Sequence, residues 1–173
     1  IFFFSGISIA IIQPEHRERF WQIVRELKAS GVKIAFDPNY RPKLWRNVAD
    51  TKAQYDIAFS LCDIALPGVE DFDMLYGLSD FSAVESFLAP YKIHEQVIKD
   101  GPNGVVVIEG STRTFITITP VDNVVDTTSA GDSFNGAYLG SRMTGGTIEA
   151  AVNSGAKMAG TVIQYPGAII PKS

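Results

Sequence analysis

Short apolar runs alternate with segments of helical pattern through the first part of the chain. That alternation limits the fold more than any other property of the sequence. The apolar runs are residues 1–4, 32–36, 63–66 and 94–98, each of strand length and each soon followed by Gly, Pro or Asp. Residues 1–12 as a whole read as a core strand and the turn after it. Pro14 then opens a helix in which Phe20, Ile23, Val24 and Leu27 share a face, and Ser30-Gly31 ends it. Residues 44–61, 70–76 and 81–88 read as further helices, the last two stopped at Gly77 and Pro90. Strand, helix, strand with short connections predicts a mostly parallel sheet covered on both faces, an α/β fold.

The second part changes rhythm. Residues 105–108 and 114–117 flank a polar segment and predict a hairpin. Helices are expected over 129–143 and 147–163. There is no repeat, low-complexity tract or linker, so residues 1–173 read as one domain.

Composition narrows the function classes. A chain of 173 residues can bury a sizeable core, and 46% hydrophobic against 20% charged residues is an ordinary water-soluble balance. A net charge of −4 argues against nucleic acid or an anionic membrane as the main partner. The apolar start is interrupted by Ser5, Gly6 and Ser8 and is too short to span a bilayer. Cys62 has no second cysteine to pair with and lies in an apolar stretch, which predicts a buried reduced thiol and a cytoplasmic setting. His16 and His94 are far apart in sequence and neither has a cysteine or a second histidine nearby, so no His/Cys metal site is expected. The chain opens inside a strand at Ile1 rather than at Met, a hint of a preceding N-terminal part.

In sheets of this kind ligands bind outside the carboxyl ends of the strands. The informative segments are therefore 37–42, 67–70, 99–104 and 126–132. The last is Asp126-Thr127-Thr128-Ser129-Ala130-Gly131-Asp132, a turn of small residues running into a helix with Phe134, Ala137, Tyr138 and Leu139 on one face. Such a turn presents backbone N–H groups and the positive end of the helix dipole, which suits an anion. Asp132 is then an awkward carboxylate. It serves as a helix cap, or as a base that takes a proton from a hydroxyl while the amides hold charge on a transferring phosphoryl group. The segment Asp37-Pro38-Asn39-Tyr40-Arg41-Pro42 places an amide, a phenol and a guanidinium at a strand end, and Arg41 can grip a carboxylate or phosphate with paired hydrogen bonds. Lys99-Asp100-Gly101-Pro102-Asn103-Gly104 is either a plain strand connection or a turn whose glycines let backbone approach a nucleotide.

Asp126 to Phe134 resembles the C-terminal signature of the ribokinase-like (PfkB-type) carbohydrate kinases. Asp37 to Arg41, followed by Leu44-Trp45, looks like the loop of the 2-keto-3-deoxygluconate kinases within that superfamily. The resemblance covers essentially the whole chain but only the C-terminal portion of such a kinase, without its first strands and lid. It implies a three-layer α/β/α fold and an ATP-dependent, Mg²⁺-requiring transfer to the primary hydroxyl of 2-keto-3-deoxygluconate. The fragment alone is expected to be inactive.

By the same resemblance Asp132 is the catalytic base, and Ser129, Ala130 and Gly131 form the anion hole and touch the nucleotide. Asn39, Tyr40 and Arg41 lie near the phosphates, Arg41 and Asp132 meet the substrate, and Lys99, Asp100, Gly101, Pro102, Asn103 and Gly104 contact the nucleotide. Pro67-Gly68-Val69-Glu70 stands where many relatives carry Asn-x-x-Glu, linked to magnesium through water. Pro67 replaces the Asn, so Glu70 reads equally as a residue favoured by the helix dipole. Ser129 replaces a frequent glycine. Residues 153–159 look like the helix near the adenine, although their small residues also read as close helix packing, and 167–171 look like the family's C-terminus. A homo-oligomer is compatible with the family. The alternatives are a kinase for a neutral sugar such as fructose, a non-catalytic nucleotide- or sugar-binding module, and a plain structural domain.

Overall fold

The computed structural model describes residues 1–170. The chain divides into two compact units, Ile1–Asp100 with Val106–Thr114, and Gly101–Val105 with Phe115–Ser173. Pro171, at the end of the stretch likened to the family's C-terminus, lies outside the described residues.

The first unit holds strands β1 (Phe2–Ser5), β2 (Ile34–Asp37), β3 (Ile64–Ala65) and β4 (Glu95–Lys99), with helices α1 (Gly6–Ala10), α2 (Arg17–Ala29), α3 (Val48–Leu61), α4 (Val69–Tyr76) and α5 (Phe81–Leu88). β1 pairs β2, β2 pairs β3 and β3 pairs β4, all in parallel, with Phe4 beside Phe36 and Ile64 beside both Ala35 and Glu95. Strands β5 (Val105–Glu109) and β6 (Thr112–Ile116) follow, and the six-stranded sheet keeps sequence order from β1 to β6. The N–H of Gly110 donates to His94 O at 3.0 Å, so β4 and β5 run in opposite senses and the sheet is mixed. The expected hairpin is present with a shorter turn, at Gly110-Ser111, where Gly110 takes φ 60.

One face of the sheet carries the main core. Phe4, Ile34, Phe36, Ala65, Ile98 and Val106 pack with Trp21 and Val24 of α2, Tyr55, Ala58 and Phe59 of α3, Phe72 of α4 and Leu88 of α5. The rings of Tyr55 and Phe59 both meet Phe36 edge-on at 5.3 Å, a favoured geometry that adds about 0.5–1.5 kcal/mol per pair to the burial itself. Ala35, Val97 and Val107 on the alternate positions are fully buried too, which is why these strands read as continuous apolar runs rather than alternating ones.

The connection between β1 and α2 departs from the expected turn. Residues 6–10 form α1, with the Ser8 hydroxyl accepting from Ser5 N at 3.2 Å. A Cβ on Gly6 would collide with Pro38 O and the Tyr55 hydroxyl, so only glycine lets the chain pass here. Residues 44–61 likewise divide. A 3-10 turn spans Pro42–Leu44, and α3 starts after Asn47, whose side chain accepts from Asp50 N at 2.8 Å.

The second unit holds α6 (Ala130–Met143) and α7 (Ile148–Val162), packed on each other. A Cβ on Gly155 of α7 would come within 2.8 Å of the Phe134 ring, so this glycine serves close packing. Val124 and Val125 belong to no strand and are half exposed. The N–H groups of Val125 and Asp126 both donate to Ile163 O, at 2.8 and 3.1 Å, which ties the entry of α6 to the end of α7.

Candidate active site

In the first unit the carboxyl ends of β2, β3 and β4 bring four charged side chains into one network. Asp37 ends β2 and is 3% exposed; its carboxylate accepts from Asn39 N at 3.2 Å. Asn39 takes φ 35, a left-handed turn that asparagine tolerates better than most residues. The chain then turns so that Tyr40 is buried and its N–H donates to Asp71 Oδ1 on α4 at 2.9 Å. The Arg41 guanidinium, 53% exposed, donates to Tyr40 O at 2.9 Å and reaches Asp71 Oδ1 at 3.5 Å. Lys99, at the end of β4, places Nζ 3.9 Å from Asp37 Oδ1. Its N–H donates to Pro67 O at 2.9 Å, joining the β3 and β4 ends.

Burial pushes the Asp71 carboxyl up to about 6, and the Asp37 charge adds to this. Lys99, the Tyr40 N–H and Arg41 work in the opposite direction. The Tyr55 hydroxyl, which donates to Pro38 O, is held neutral, above all by burial and then by the charges of Asp71 and Asp37. The network therefore offers one solvent-facing cation, Arg41, backed by buried acids. Asp71 is the residue the sequence did not single out. Two acids, Glu70 and Asp71, stand in the first turn of α4, and only the tertiary contact with Tyr40 tells them apart. Glu70 is exposed to solvent.

The second unit carries the other set. Asp126 Oδ1 accepts from Thr128 N at 2.8 Å and Oδ2 from Gly167 N at 2.9 Å, so both oxygens fix the backbone of the turn. A hydrogen bond from the Thr128 side chain, and then these two backbone bonds, hold the Asp126 carboxyl below its usual range. Ser129 takes φ 69 as the N-cap of α6, and Ala130, Gly131 and Asp132 form the first helical turn, with Asp132 exposed to solvent. The turn Gly101–Asn103 is a 3-10 turn on the surface, and Gly104 has φ 116 with no room for a side chain against the Phe115 ring.

A cavity of about 330 Å³ in this unit is lined by Thr117, Thr119, Val121, Asn153, Lys157 and Gly160, among others. Its lining mixes polar and apolar groups, with the cation of Lys157 among them, a chemistry compatible with a flat polar ring and an attached phosphate. The predicted site residues thus fall into two sets: Asn39, Tyr40, Arg41, Lys99 and Asp100 in the first unit, and Gly101, Pro102, Asn103, Gly104, Ser129, Ala130, Gly131 and Asp132 in the second. The cavity residues on 117–121 lie beyond the motifs read from the sequence.

Among the described residues no three His, Cys, Asp or Glu side chains cluster as metal ligands. Magnesium would fit here only as an ion carried by nucleotide phosphates and water, with no protein cage. Cys62 is buried and its thiol is pushed up to about 12, chiefly by burial, so it is no nucleophile. No helix among the described residues is long and apolar enough to cross a membrane.

The sequence model of the pfkB family carbohydrate kinases matches residues 1–173. The chain belongs to that family. The pfkB chain is 40% identical over 173 residues to a 2-dehydro-3-deoxygluconokinase of Escherichia coli strain K12, covering 98% of this chain and 56% of the relative. It is 30% identical over 164 residues to a 5-dehydro-2-deoxygluconokinase of Geobacillus thermodenitrificans, covering 92% of this chain and 48% of the relative. The chain thus spans about half the length of these relatives. A crystal structure of aminoimidazole riboside kinase from Salmonella enterica, complexed with aminoimidazole riboside and an ATP analogue, superposes with a TM-score of 0.83. It shares 24% identity and covers 96% of this chain and 57% of its own. That likeness establishes the α/β fold of the carbohydrate kinases.

Proposed function

We propose that the chain is part of an ATP-dependent kinase that phosphorylates the primary hydroxyl of 2-keto-3-deoxygluconate. The observation that carries the substrate class is Arg41. It is a half-exposed guanidinium beyond a strand's carboxyl end, next to Tyr40, whose N–H is held by Asp71, and it is suited to a carboxylate or a phosphate. The similarity to relatives named 2-dehydro-3-deoxygluconokinase supports the same class.

Asp132 takes the proton of the sugar hydroxyl. The hydroxyl oxygen attacks the γ-phosphorus, the bond to the bridging oxygen breaks, and ADP leaves. The N–H groups at the start of α6, from Ser129 to Asp132, hold charge on the transferring group, and the glycine turn 101–104 with the cavity lined from Thr117 to Gln164 takes the nucleotide. Among the described residues none would hold magnesium directly; carried in with the phosphates, it would supply charge neutralisation. The setting is the cytoplasm, where the nucleotide and a reduced Cys62 belong together.

In the full-length protein Asp132→Asn is expected to cut turnover about a hundred- to ten-thousandfold, the range of general-base catalysis, with ATP affinity nearly unchanged. Near-normal turnover would remove the base assignment. A substrate panel tests the rest. The relative at 30% identity raises 5-keto-2-deoxygluconate as a second acid substrate, and preference for fructose over both acids would replace the reading by a neutral-sugar kinase.

A further inference from the structure

We infer that Asp71 is a positioning residue for the anion-binding loop: its carboxylate holds the Tyr40 N–H and neighbours the Arg41 guanidinium, and protonation loosens both. The inference rests on the reading of Arg41 as the group that meets the acid substrate.

The geometry carries it. Arg41 hangs from a loop that makes a left-handed turn at Asn39 and passes over Gly6, so the backbone alone does not dictate where the guanidinium goes. The firm tether is the 2.9 Å bond from Tyr40 N to Asp71 Oδ1, and the same oxygen lies 3.5 Å from Arg41. Both partners are donors, so the ionised carboxylate is the form that satisfies them, whereas a protonated one offers less charge to each. Asp71 is 15% exposed in its side chain, close enough to water to exchange a proton yet dry enough for its charge to be costly.

The groups around it act in known directions. From the end of β2, Asp37 disfavours the ionised form. From the end of β4 and the loop, Lys99 and Arg41 favour it. On α3, the buried neutral Tyr55 feels the same charge, and Glu70 precedes Asp71 on α4 itself. The balance leaves the carboxyl titrating at about 6, within reach of ordinary working conditions.

The test uses the full-length protein and two variants. Asp71→Ala removes the acceptor. Asp71→Asn keeps an oxygen for the Tyr40 N–H but abolishes the charge. Amide exchange over residues 39–41, which needs no substrate, is expected to speed up about tenfold in Asp71→Ala and by a smaller factor in Asp71→Asn, which keeps the acceptor but not its charge. In the assay with 2-keto-3-deoxygluconate, Asp71→Ala raises KM about tenfold, the size of one lost charge-assisted hydrogen bond, with kcat within about threefold.

Wild-type KM rises as pH falls through about 6, and in Asp71→Asn that extra rise is gone. ATP's own titration is shared by all three proteins and cancels in the ratio of KM values. Unchanged exchange in Asp71→Ala, a loss confined to kcat, or a wild-type pH profile in Asp71→Asn would overturn the inference. Altered exchange in a protein inactive on every keto-deoxy acid would instead remove the substrate reading and leave the tether standing.

Discussion

Ser129 stands at φ 69, where a side chain crowds its own backbone, and it occupies the turn immediately before the proposed base. A frequent glycine in the related signature thus has a physical cause, and serine there accepts strain for the same turn. Replacement by valine, β-branched and stiff, is expected to cost about 1–2 kcal/mol of unfolding free energy. Ser129→Gly should change it by less than about 1 kcal/mol, because relieved strain is offset by a freer unfolded chain. Both are read from urea unfolding midpoints, and Ser129→Gly should keep turnover, since the N–H is unchanged. Equal stability of the valine variant would mean that the turn is not held left-handed in solution.

At the scale of elements, the loops depend on close passages as much as on hydrogen bonds. Gly104 closes the β4–β5 connection at φ 116, and a Cβ there would lie 2.8 Å from the Phe115 ring and 2.9 Å from Ile116 O. Gly104→Ala is expected to destabilise by about 2–4 kcal/mol through backbone strain and overpacking together, seen as a lowered thermal midpoint. A wild-type midpoint would show that the hairpin edge yields at no cost.

The elements that were legible in the sequence are those with a strong period or a clear stop. α2 shows its face in Phe20, Val24 and Leu27, α4 ends at Gly77 with φ 72, and the hairpin strands are flanked by polar turn residues. Helix α1 was not legible, because Gly6 to Ala10 continues an apolar run and only the contact with Tyr55 and Pro38 bends it. The loop motif around Arg41 could be read, but Asp71 could not. Nothing local distinguishes a buried acid from the exposed Glu70 beside it; burial is a property of the assembled strand ends.

At the scale of the whole molecule, the charged network carries a cost in stability. The folded protein holds the Asp71 proton up to about 6, against 3.8 for the ordinary carboxyl, so it binds more protons than the unfolded chain between those values. Stability from this group is complete below about pH 4 and is lost as pH rises through 6, on the order of 3 kcal/mol in all at 1.36 kcal/mol per pKa unit. Asp71→Asn, already neutral, should therefore gain urea resistance over wild type as pH goes from 4 to 8, and a constant difference would refute the buried-charge account. A residue kept at such a cost fits a working site better than a scaffold.

The passage of Gly6 beneath Pro38 and Tyr55 also bears on redesign. The loop bearing Arg41 is not a detachable cassette. A graft of residues 37–41 into another sheet would need glycine at the end of the neighbouring strand, a phenol from the following helix, an acid one helix further on and a lysine two strands away. Substrate preference is therefore open to stepwise change at Arg41 itself, whereas the path of the loop can change only when distant parts of the chain are altered together.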